Sequence, residues 1–86
     1  MKYRSRTEIV CSILDAANGG GGATKTKIMF KSFLSYVQLK EYLSVLMENN
    51  LLEYINGSRL YKTTEKGLNY LKKNNEIGDL LLSLSK

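Results

Sequence analysis

The sequence contains no histidine and a single cysteine, Cys11. Without histidine, the chain lacks the most common general base and the most common metal ligand of proteins. One cysteine excludes an intrachain disulfide and a zinc site built from cysteines. The eight acidic residues are scattered, and no P-loop, GxSxG or HExxH spacing occurs. These absences predict a protein that is not an enzyme and that holds no metal ion and no cofactor.

Long apolar runs are also missing. No stretch of about 18 uncharged apolar residues is present, which is what a membrane-spanning helix requires. The basic N-terminus lacks the apolar core and the cleavage site of a signal peptide. We therefore expect a cytoplasmic protein without a membrane partner, associated with the nucleoid. Cys11 lies in an apolar run, where it is either a small core residue or a reactive or intermolecular thiol.

Acidic residues are fewer than basic ones, and the excess positive charge is unevenly placed. The chain has 13 Lys and Arg against 8 Asp and Glu, a net charge of +5. Residues 1–40 hold seven basic and two acidic groups, whereas residues 41–86 hold six of each. The whole excess lies in the first half, which indicates a polyanionic partner, although solubility charge alone would give the same composition.

Hydrophobic periodicity predicts four helices and one β-hairpin. Apolar residues recur at three- to four-residue spacing in the helices and alternate in two short strands. Asn56-Gly57 between the strands is a strong signal for a two-residue turn. Because proline is absent, the last helix can continue to the C-terminus. The predicted elements are helices over 5–17, 25–33 and 36–49, strands over 51–55 and 58–62, and a last helix from 64 or 65.

Hydroxyl side chains mark the helix starts, because their oxygens accept unpaired backbone N–H groups. Ser35 and Gln38 have the spacing of a capping box at the start of the third helix. Asn18-Gly19 suits a left-handed end of the first helix, and residues 19–22 form a flexible glycine connector. The other predicted caps are Ser5 or Thr7, Thr24, and Thr63 or Thr64.

One face of each helix is expected to line a common core. Within the hairpin, a two-residue turn fixes the strand register. The core residues are predicted to be Ile9, Ile13, Leu14, Ile28, Met29, Phe33, Leu39, Tyr42, Leu43, Leu46, Met47, Leu68, Tyr70 and Leu71. The predicted strand pairs are Ile55 with Ser58, Tyr54 with Arg59, and Leu52 with Tyr61.

The order of the elements predicts the fold class. Helices 2 and 3 are joined by one or two residues around Leu34, a helix-turn-helix connection that lacks the usual turn glycine. A β-hairpin follows directly. The class is α+β and mainly α, a winged helix-turn-helix with a three-helix core, a β-hairpin wing and a C-terminal helix. We expect one domain over 5–73 and a leucine-rich helical extension over 74–86.

A helix that reads the major groove needs hydrogen-bonding side chains at its start and along one face. Gln38 either contacts an adenine edge or only completes the capping box, and Lys40 contacts guanine or phosphate or is simply solvated. Arg59 either follows the minor groove or packs on Tyr54. The lysines of helix 2 suit phosphate contacts. The candidate DNA-binding residues are Lys25, Lys27, Lys31, Ser35, Tyr36, Gln38, Lys40, Ser44, Asn56 and Arg59.

The C-terminal tail is too apolar to be left in water and too short to span a bilayer. It either folds back on the domain or pairs with a second copy, and we favour a homodimer. Two domains on a two-fold axis would match a palindromic or repeated DNA site. The expected dimer-interface residues are Ile77, Leu80, Leu81 and Leu84.

Short segments spread between residues 6 and 71 carry a resemblance to a known family. They are Glu8-Ile9, Ile13-Leu14, Lys25-Thr26-Lys27-Ile28-Met29, Leu34-Ser35-Tyr36, Tyr42, Leu46-Met47 and Thr64-Glu65-Lys66-Gly67. Together they resemble the archaeal winged-helix family of small DNA-binding, chromatin-associated proteins. The resemblance implies duplex DNA binding through helix 3 and the wing, without catalysis or cofactor. The contacts that it implies are Tyr36, Gln38, Lys40 and Arg59.

Members of that family dimerise through a long C-terminal antiparallel coiled coil. The tail after Lys73 is much shorter here and the glycine run is longer, so that mode of dimerisation does not carry over. We interpret the sequence as a homodimeric double-stranded DNA-binding protein, either a transcriptional regulator or an architectural factor. The alternative is a winged-helix module that binds another protein and not DNA, since a fold does not fix a function.

Overall fold

The computed structural model describes the backbone of residues 5–84 and the side chains of residues 5–74. Its element order is the predicted one, four helices with a hairpin between the third and the fourth. The mainly helical α+β class and the winged-helix arrangement are confirmed. The elements are α1 (Arg6–Ala16), α2 (Lys25–Ser32), α3 (Tyr36–Glu48), β1 (Leu52–Ile55), β2 (Leu60–Thr63) and α4 (Glu65–Leu84).

The helix starts are set by local hydrogen bonds of the predicted kind. Ser5, not Thr7, caps α1, and its Oγ accepts the Glu8 N–H at 3.1 Å. Thr24 caps α2 in the same way. At the start of α4, Thr64 Oγ1 accepts the N–H of Gly67 at 3.0 Å. Each cap satisfies a backbone donor that has no partner inside its helix.

The core lies where α1, α2 and α3 meet, closed by the hairpin and the first turns of α4. Phe33, Met47 and Leu68 were expected there, and for them the prediction is wrong. Phe33 is 84% exposed because α2 ends at Ser32, whose buried hydroxyl donates to Ile28 O at 2.6 Å. The buried residues are Ile13, Leu14, Ala16, Ala17, Ala23, Ile28, Ser32, Leu39, Leu43, Leu46, Leu52, Thr63, Gly67 and Leu71.

Leu68 is exposed because its neighbour in the sequence occupies the inward position of α4. Gly67 is buried and Leu71, one turn later, is 8% exposed, so these two define the inner face. Leu68 lies about 100° around the helix from Gly67. Met47 stands in the same relation to the buried Leu46 of α3.

The hairpin register differs from the predicted one by two residues. Leu52 pairs with Thr63 and Tyr54 with Tyr61, and residues 56–59 form a four-residue loop. A shift of two keeps each strand residue on its predicted face, because side chains alternate with a period of two. The longer loop moves Arg59 from the strand into the turn.

Two tertiary contacts favour the observed register. Tyr54 and Tyr61 are direct cross-strand partners in this register, and their ring centroids lie 4.9 Å apart. Thr63, placed opposite Leu52, is buried and its hydroxyl donates to Leu14 O in α1. The Asn56-Gly57 turn signal carries no information about either contact. The sequence pattern therefore predicted a two-residue loop where the structure has four residues.

The connector after α1 is attached to the hairpin at its last residues. The predicted left-handed end at Asn18-Gly19 is wrong, since the C-cap is Ala17 with φ −90°. Ala23 exchanges two backbone hydrogen bonds of 2.8 Å with Tyr61. A Cβ on Gly22, whose φ is +114°, would lie 2.7 Å from Tyr61 O. Glycine is therefore required where this segment crosses β2, and the wing is joined to the start of α2.

The turn between α2 and α3 has three residues, 33–35, where the sequence predicted one or two. Its left-handed position is occupied by Phe33 at φ 56°, and the Phe33 N–H donates to Met29 O. Glycine usually fills such a position, since left-handed backbone costs an L-residue roughly 1–2 kcal/mol. Within residues 5–84, no helix is long and apolar enough to cross a membrane.

Candidate nucleic-acid interface

Three buried leucines determine which side of α3 faces outward. Leu39, Leu43 and Leu46 are at most 4% exposed, so the opposite side of the helix points away from the core. The positions on that side follow from a rotation of about 100° per residue. The residues most nearly opposite the leucines, all of them exposed, are Val37, Glu41, Ser44 and Glu48, and Lys40 and Gln38 lie at the two edges of that side.

Gln38 lies on a different side of α3 from Lys40. Two residues of helix separate them by about 200°, which places them on nearly opposite sides. The Gln38 Oε1 accepts the Ser35 N–H at 3.1 Å, and Ser35 Oγ accepts the Gln38 N–H at 3.2 Å. The capping alternative is thus present in the structure. A bidentate contact to adenine would use the same oxygen, so the two roles compete.

Tyr36 and Lys25 connect the first turn of α3 to the first turn of α2. The Lys25 Nζ lies 5.3 Å from the centroid of the Tyr36 ring, within the range of a cation–π interaction. Tyr36 remains 52% exposed, whereas Lys25 is half-buried. This pair leaves the Tyr36 ring accessible at the N-terminal end of α3.

The three predicted phosphate-binding lysines of α2 are not on one side of the helix. Lys27 and Lys31 are one turn apart and exposed, so they form a pair on the outer surface. Lys25 lies roughly 120–160° away from them and leans on Tyr36. The arrangement gives two positive positions, one beside the start of α3 and one on the outer side of α2.

The wing loop presents the remaining predicted residues. Asn56 and Arg59 are both exposed in the four-residue loop. Arg59 has φ 60°, a left-handed conformation that is uncommon for residues other than glycine. The register places Tyr61, not Arg59, opposite Tyr54, and the two tyrosine rings contact each other at an interplanar angle of 54°. Arg59 is therefore a strained, solvent-exposed cation at the tip of the hairpin.

Cys11 lies in surroundings that disfavour a reactive thiolate. It is half-buried against the core, and burial, together with the nearby Asp15 and Glu8 carboxylates, raises the pKa of its thiol. A raised pKa lowers the fraction of nucleophilic thiolate at neutral pH. Among the residues that the structure describes, no three His, Cys, Asp or Glu side chains are grouped as metal ligands.

The sequence reasoning missed an exposed apolar side chain on the outward side of α3. Val37 is 67% exposed in the first turn, next to Tyr36. The signal was in the sequence, because a helix whose buried side contains Leu39, Leu43 and Leu46 must carry residue 37 on the opposite side. Phe30 and Phe33, in and just after the last turn of α2, are also exposed, at 76% and 84%.

The predicted dimer residues cannot be placed in the same way. Ile77, Leu80, Leu81 and Leu84 belong to α4, but their side chains lie outside the described residues. The division of the chain at residues 73 and 74 likewise stays a prediction. In the structure α4 extends from Glu65 to Leu84 as one helix.

Comparison with known proteins agrees with this architecture. A family model described as winged helix-turn-helix matches residues 3–81. The crystal structure of Sso10a-2, a DNA-binding protein from Sulfolobus solfataricus, superposes with a TM-score of 0.75 at 23% sequence identity. The alignment covers 95% of this chain and 86% of that chain, and at this identity the likeness is one of fold. A search of curated protein sequences gives no significant match.

The winged-helix resemblance inferred from the sequence is confirmed by the family model, and the archaeal protein Sso10a-2 shares the fold. The family model spans α1 to α4 and the hairpin, so the match does not depend on one motif. With nearly the whole chain matched and every element of the fold in place, the protein belongs to the winged helix-turn-helix family.

Proposed function

We propose that this protein binds double-stranded DNA with α3 in the major groove and the hairpin loop beside it. The observation that carries the proposal is the charge of the helix-turn-helix unit. From α2 through α3 the unit contains four lysines against Glu41 and Glu48, and residues 16–40 contain no acidic residue. An excess of positive charge on this surface attracts the phosphate groups of DNA. The DNA-binding function of the similar protein Sso10a-2 supports the proposal.

The exposed side chains divide into two groups by the contact that each can make. Lys27 and Lys31, on the outer side of α2, suit phosphate contacts that position the protein without reading sequence. Lys40 and Ser44, on the outward side of α3, suit base edges, with lysine donating to the O6 and N7 of guanine. Tyr36, at the start of α3, suits a phosphate contact through its hydroxyl.

The two groups predict different effects of alanine substitution. Lys31→Ala should weaken binding to all duplexes by a similar factor and lower the salt slope by about 1. Lys40→Ala should change the ranking of duplexes, because loss of a base contact alters discrimination by about 1–3 kcal/mol. The measurement is a fluorescence-anisotropy titration of both variants against a panel of genomic fragments. If Lys40→Ala preserves the wild-type ranking, α3 is not the reading helix.

Gln38 is not expected to behave like Lys40. Its side chain completes the cap of α3, so Gln38→Ala should lower stability by roughly 0.5–1 kcal/mol through the lost cap. A contact between Gln38 and adenine remains a prediction, and it requires the cap to open.

The loop of the wing would place Arg59 against the phosphates or in the minor groove. Its left-handed backbone brings no benefit in buried area, because the side chain is exposed. Strain of this kind persists at functional positions more than elsewhere. We infer that Arg59 contributes to DNA binding at the expense of stability.

Glycine at position 59 tests that inference with two opposite effects. Arg59→Gly should raise the free energy of unfolding by up to about 1 kcal/mol, since glycine adopts φ 60° without strain. The same variant should bind DNA more weakly than the wild type. Arg59→Lys is the control, because it retains both the backbone strain and the positive charge. Its free energy of unfolding and its DNA affinity should be close to those of the wild type. An Arg59→Gly protein that binds DNA with undiminished affinity would remove the wing from the interface.

We also propose that the protein binds as a homodimer through α4. That helix has 20 residues and a length of about 30 Å, and its first two turns pack on the domain through Gly67 and Leu71. The sequence beyond them repeats apolar residues at three- to four-residue spacing. The residues of this apolar repeat are Ile77, Leu80, Leu81 and Leu84.

The proposed role is that of a transcriptional regulator or an architectural protein, located with the nucleoid. Titration against pooled genomic fragments distinguishes the two. Selection of a few fragments would indicate a regulator and would yield its operator, whereas equal binding to all fragments would indicate an architectural protein. In either role the chemistry is binding and release, with no catalytic step.

A further inference from the structure

Three exposed apolar side chains lie close together in the sequence at the corner between α2 and α3. We call Phe30, Phe33 and Val37 the corner patch. Their exposed fractions are 76%, 84% and 67%. Single exposed apolar residues are common on proteins, whereas these three fall within a span of eight residues that also holds Lys31. A shallow cleft of about 240 Å³ opens beside them, lined by Met29, Phe30, Phe33 and Leu34.

The position of the patch selects its occupant. Val37 is on the outward side of α3, next to Tyr36 and three residues before Lys40, so it is continuous with the proposed DNA surface. Residues 16–40 contain no acidic residue and four lysines, which attract a polyanion, and the acidic group on the same side of α3 is Glu41, one turn after Val37. In the major groove, DNA offers one apolar group to such a surface, the C5 methyl of thymine.

We propose that Val37, in the same short segment as Phe30 and Phe33, contacts thymine methyl groups in the major groove, so that the protein prefers A·T-rich duplexes. The inference rests on the proposed DNA-binding function and deepens it by naming the base feature that is read. A methyl group in contact with the patch leaves water, as a valine methyl does in a protein core. Lysines alone would attract G·C sites at least as well, since guanine supplies their acceptors.

Uracil in place of thymine tests the proposal, because it removes the methyl and preserves base pairing. The probes are a duplex of alternating A and T and the same duplex with deoxyuridine in place of thymidine. Each contacted methyl should contribute about fourfold in affinity, from the transfer free energy of one buried CH₂-sized group. A duplex of alternating G and 5-methylcytosine should likewise bind more tightly than its unmethylated form, since that methyl occupies the same place in the groove.

Val37→Ala locates the effect on the protein. The ratio of affinities for the thymine and uracil duplexes should fall towards one, because the thymine duplex loses more affinity than the uracil duplex. Val45→Ala is the matched control. Val45 is also an exposed valine of α3, at 53%, but it lines the groove between α1 and α3 with Val10. The control should retain the full ratio, and because both positions are exposed, both variants should fold.

Three results would overturn the inference. Equal affinity of the wild type for thymine and uracil duplexes would leave the DNA-binding function intact and exclude methyl recognition. An equal loss of the ratio in Val37→Ala and Val45→Ala would place the effect outside the corner patch. In Phe30→Ala, sedimentation could depend less on protein concentration while the ratio of affinities for the thymine and uracil duplexes is unchanged. That result would make the patch a contact between copies of this chain. Absence of binding to every duplex at low salt would reject the proposed function itself.

Discussion

Replacement of Gly67 by alanine is expected to destabilise the domain by about 2–3 kcal/mol or more, a large part of the stability of a domain of this size. Gly67 is buried in the first turn of α4, where the helix crosses the segment before β1. A Cβ at this position would clash with the carbonyl oxygen of Leu51 and lie 2.7 Å from Thr63 Cγ2.

The clash cannot be relieved by moving a side chain. Leu51 O accepts the N–H of Thr64 at 3.1 Å, and the Thr63 hydroxyl is bonded to Leu14 O in the core. The helix would have to shift away from the hairpin, which breaks the cap formed by Thr64. Thermal unfolding should show a fall in Tm of about 10–20 °C for a domain of this size.

Gly21→Ala is the matched control for this experiment. A Cβ on Gly21 would meet no atom within 4 Å, and the backbone there is not left-handed. The substitution should leave Tm unchanged or raise it slightly, because alanine reduces the entropy of the unfolded chain. Equal Tm values for Gly67→Ala and the wild type would show that α4 does not approach the hairpin as closely as described.

Replacement of Leu81 by glutamate is expected to have the largest effect on DNA affinity. If two copies pair through the apolar repeat of α4, a charge in that repeat separates them, because an unpaired carboxylate is costly to bury. Loss of the second domain removes the advantage of intramolecular binding, which is worth about 10²–10⁴ in affinity where two linked sites are engaged. Binding to a duplex long enough for two domains should weaken by about 100-fold.

Leu82→Glu provides the control with the same chemistry. Residue 82 lies about 100° around an ideal helix from residue 81, outside the apolar repeat formed by Ile77, Leu80, Leu81 and Leu84. Sedimentation velocity should find a dimer for the wild type and Leu82→Glu and a monomer for Leu81→Glu. A wild type that sediments as a monomer at all accessible concentrations would reject the dimer.

Features set by neighbouring residues were predictable from the sequence. The caps at Ser5, Thr24 and Ser35 depend on side chains that bond to backbone three residues away, so the sequence pattern locates them directly. The buried leucines of α3 follow from their spacing. The order of the elements, and hence the winged helix, follows from these local signals together.

Features set by distant contacts were not predictable. The hairpin register depends on the buried hydrogen bond from the Thr63 hydroxyl to the Leu14 carbonyl, between residues 49 positions apart. The exposure of Phe33 depends on where α2 ends, and a left-handed backbone at a phenylalanine runs against its conformational preference. Leu68 was predicted to be buried because periodicity arguments assign apolar residues, and not glycines, to the core. In the structure Gly67 is the residue that packs closely against the domain, so Leu68 is turned outward.

The candidate site shows the same division. Residue types identified Lys40, Ser44 and the lysines of α2 as candidates, and all of these are exposed except Lys25, which is half-buried. Which of them lie together depends on the orientation of each helix. On α3, Gln38 and Lys40 lie on different sides, and on α2, Lys25 lies on a different side from Lys27 and Lys31. Val37 was overlooked because an apolar residue at a helix start is assigned to the core unless its side of the helix is considered.

The central claim is that the helix-turn-helix surface binds duplex DNA through its phosphates as well as its bases. The most direct test is a titration of the wild-type protein with duplex DNA at several salt concentrations. Five cations on this surface, Lys25, Lys27, Lys31, Lys40 and Arg59, predict a slope of log K against log salt of about −3 to −5 for each domain. Undetectable binding at low salt would contradict the claim and favour a winged-helix module that docks onto another protein.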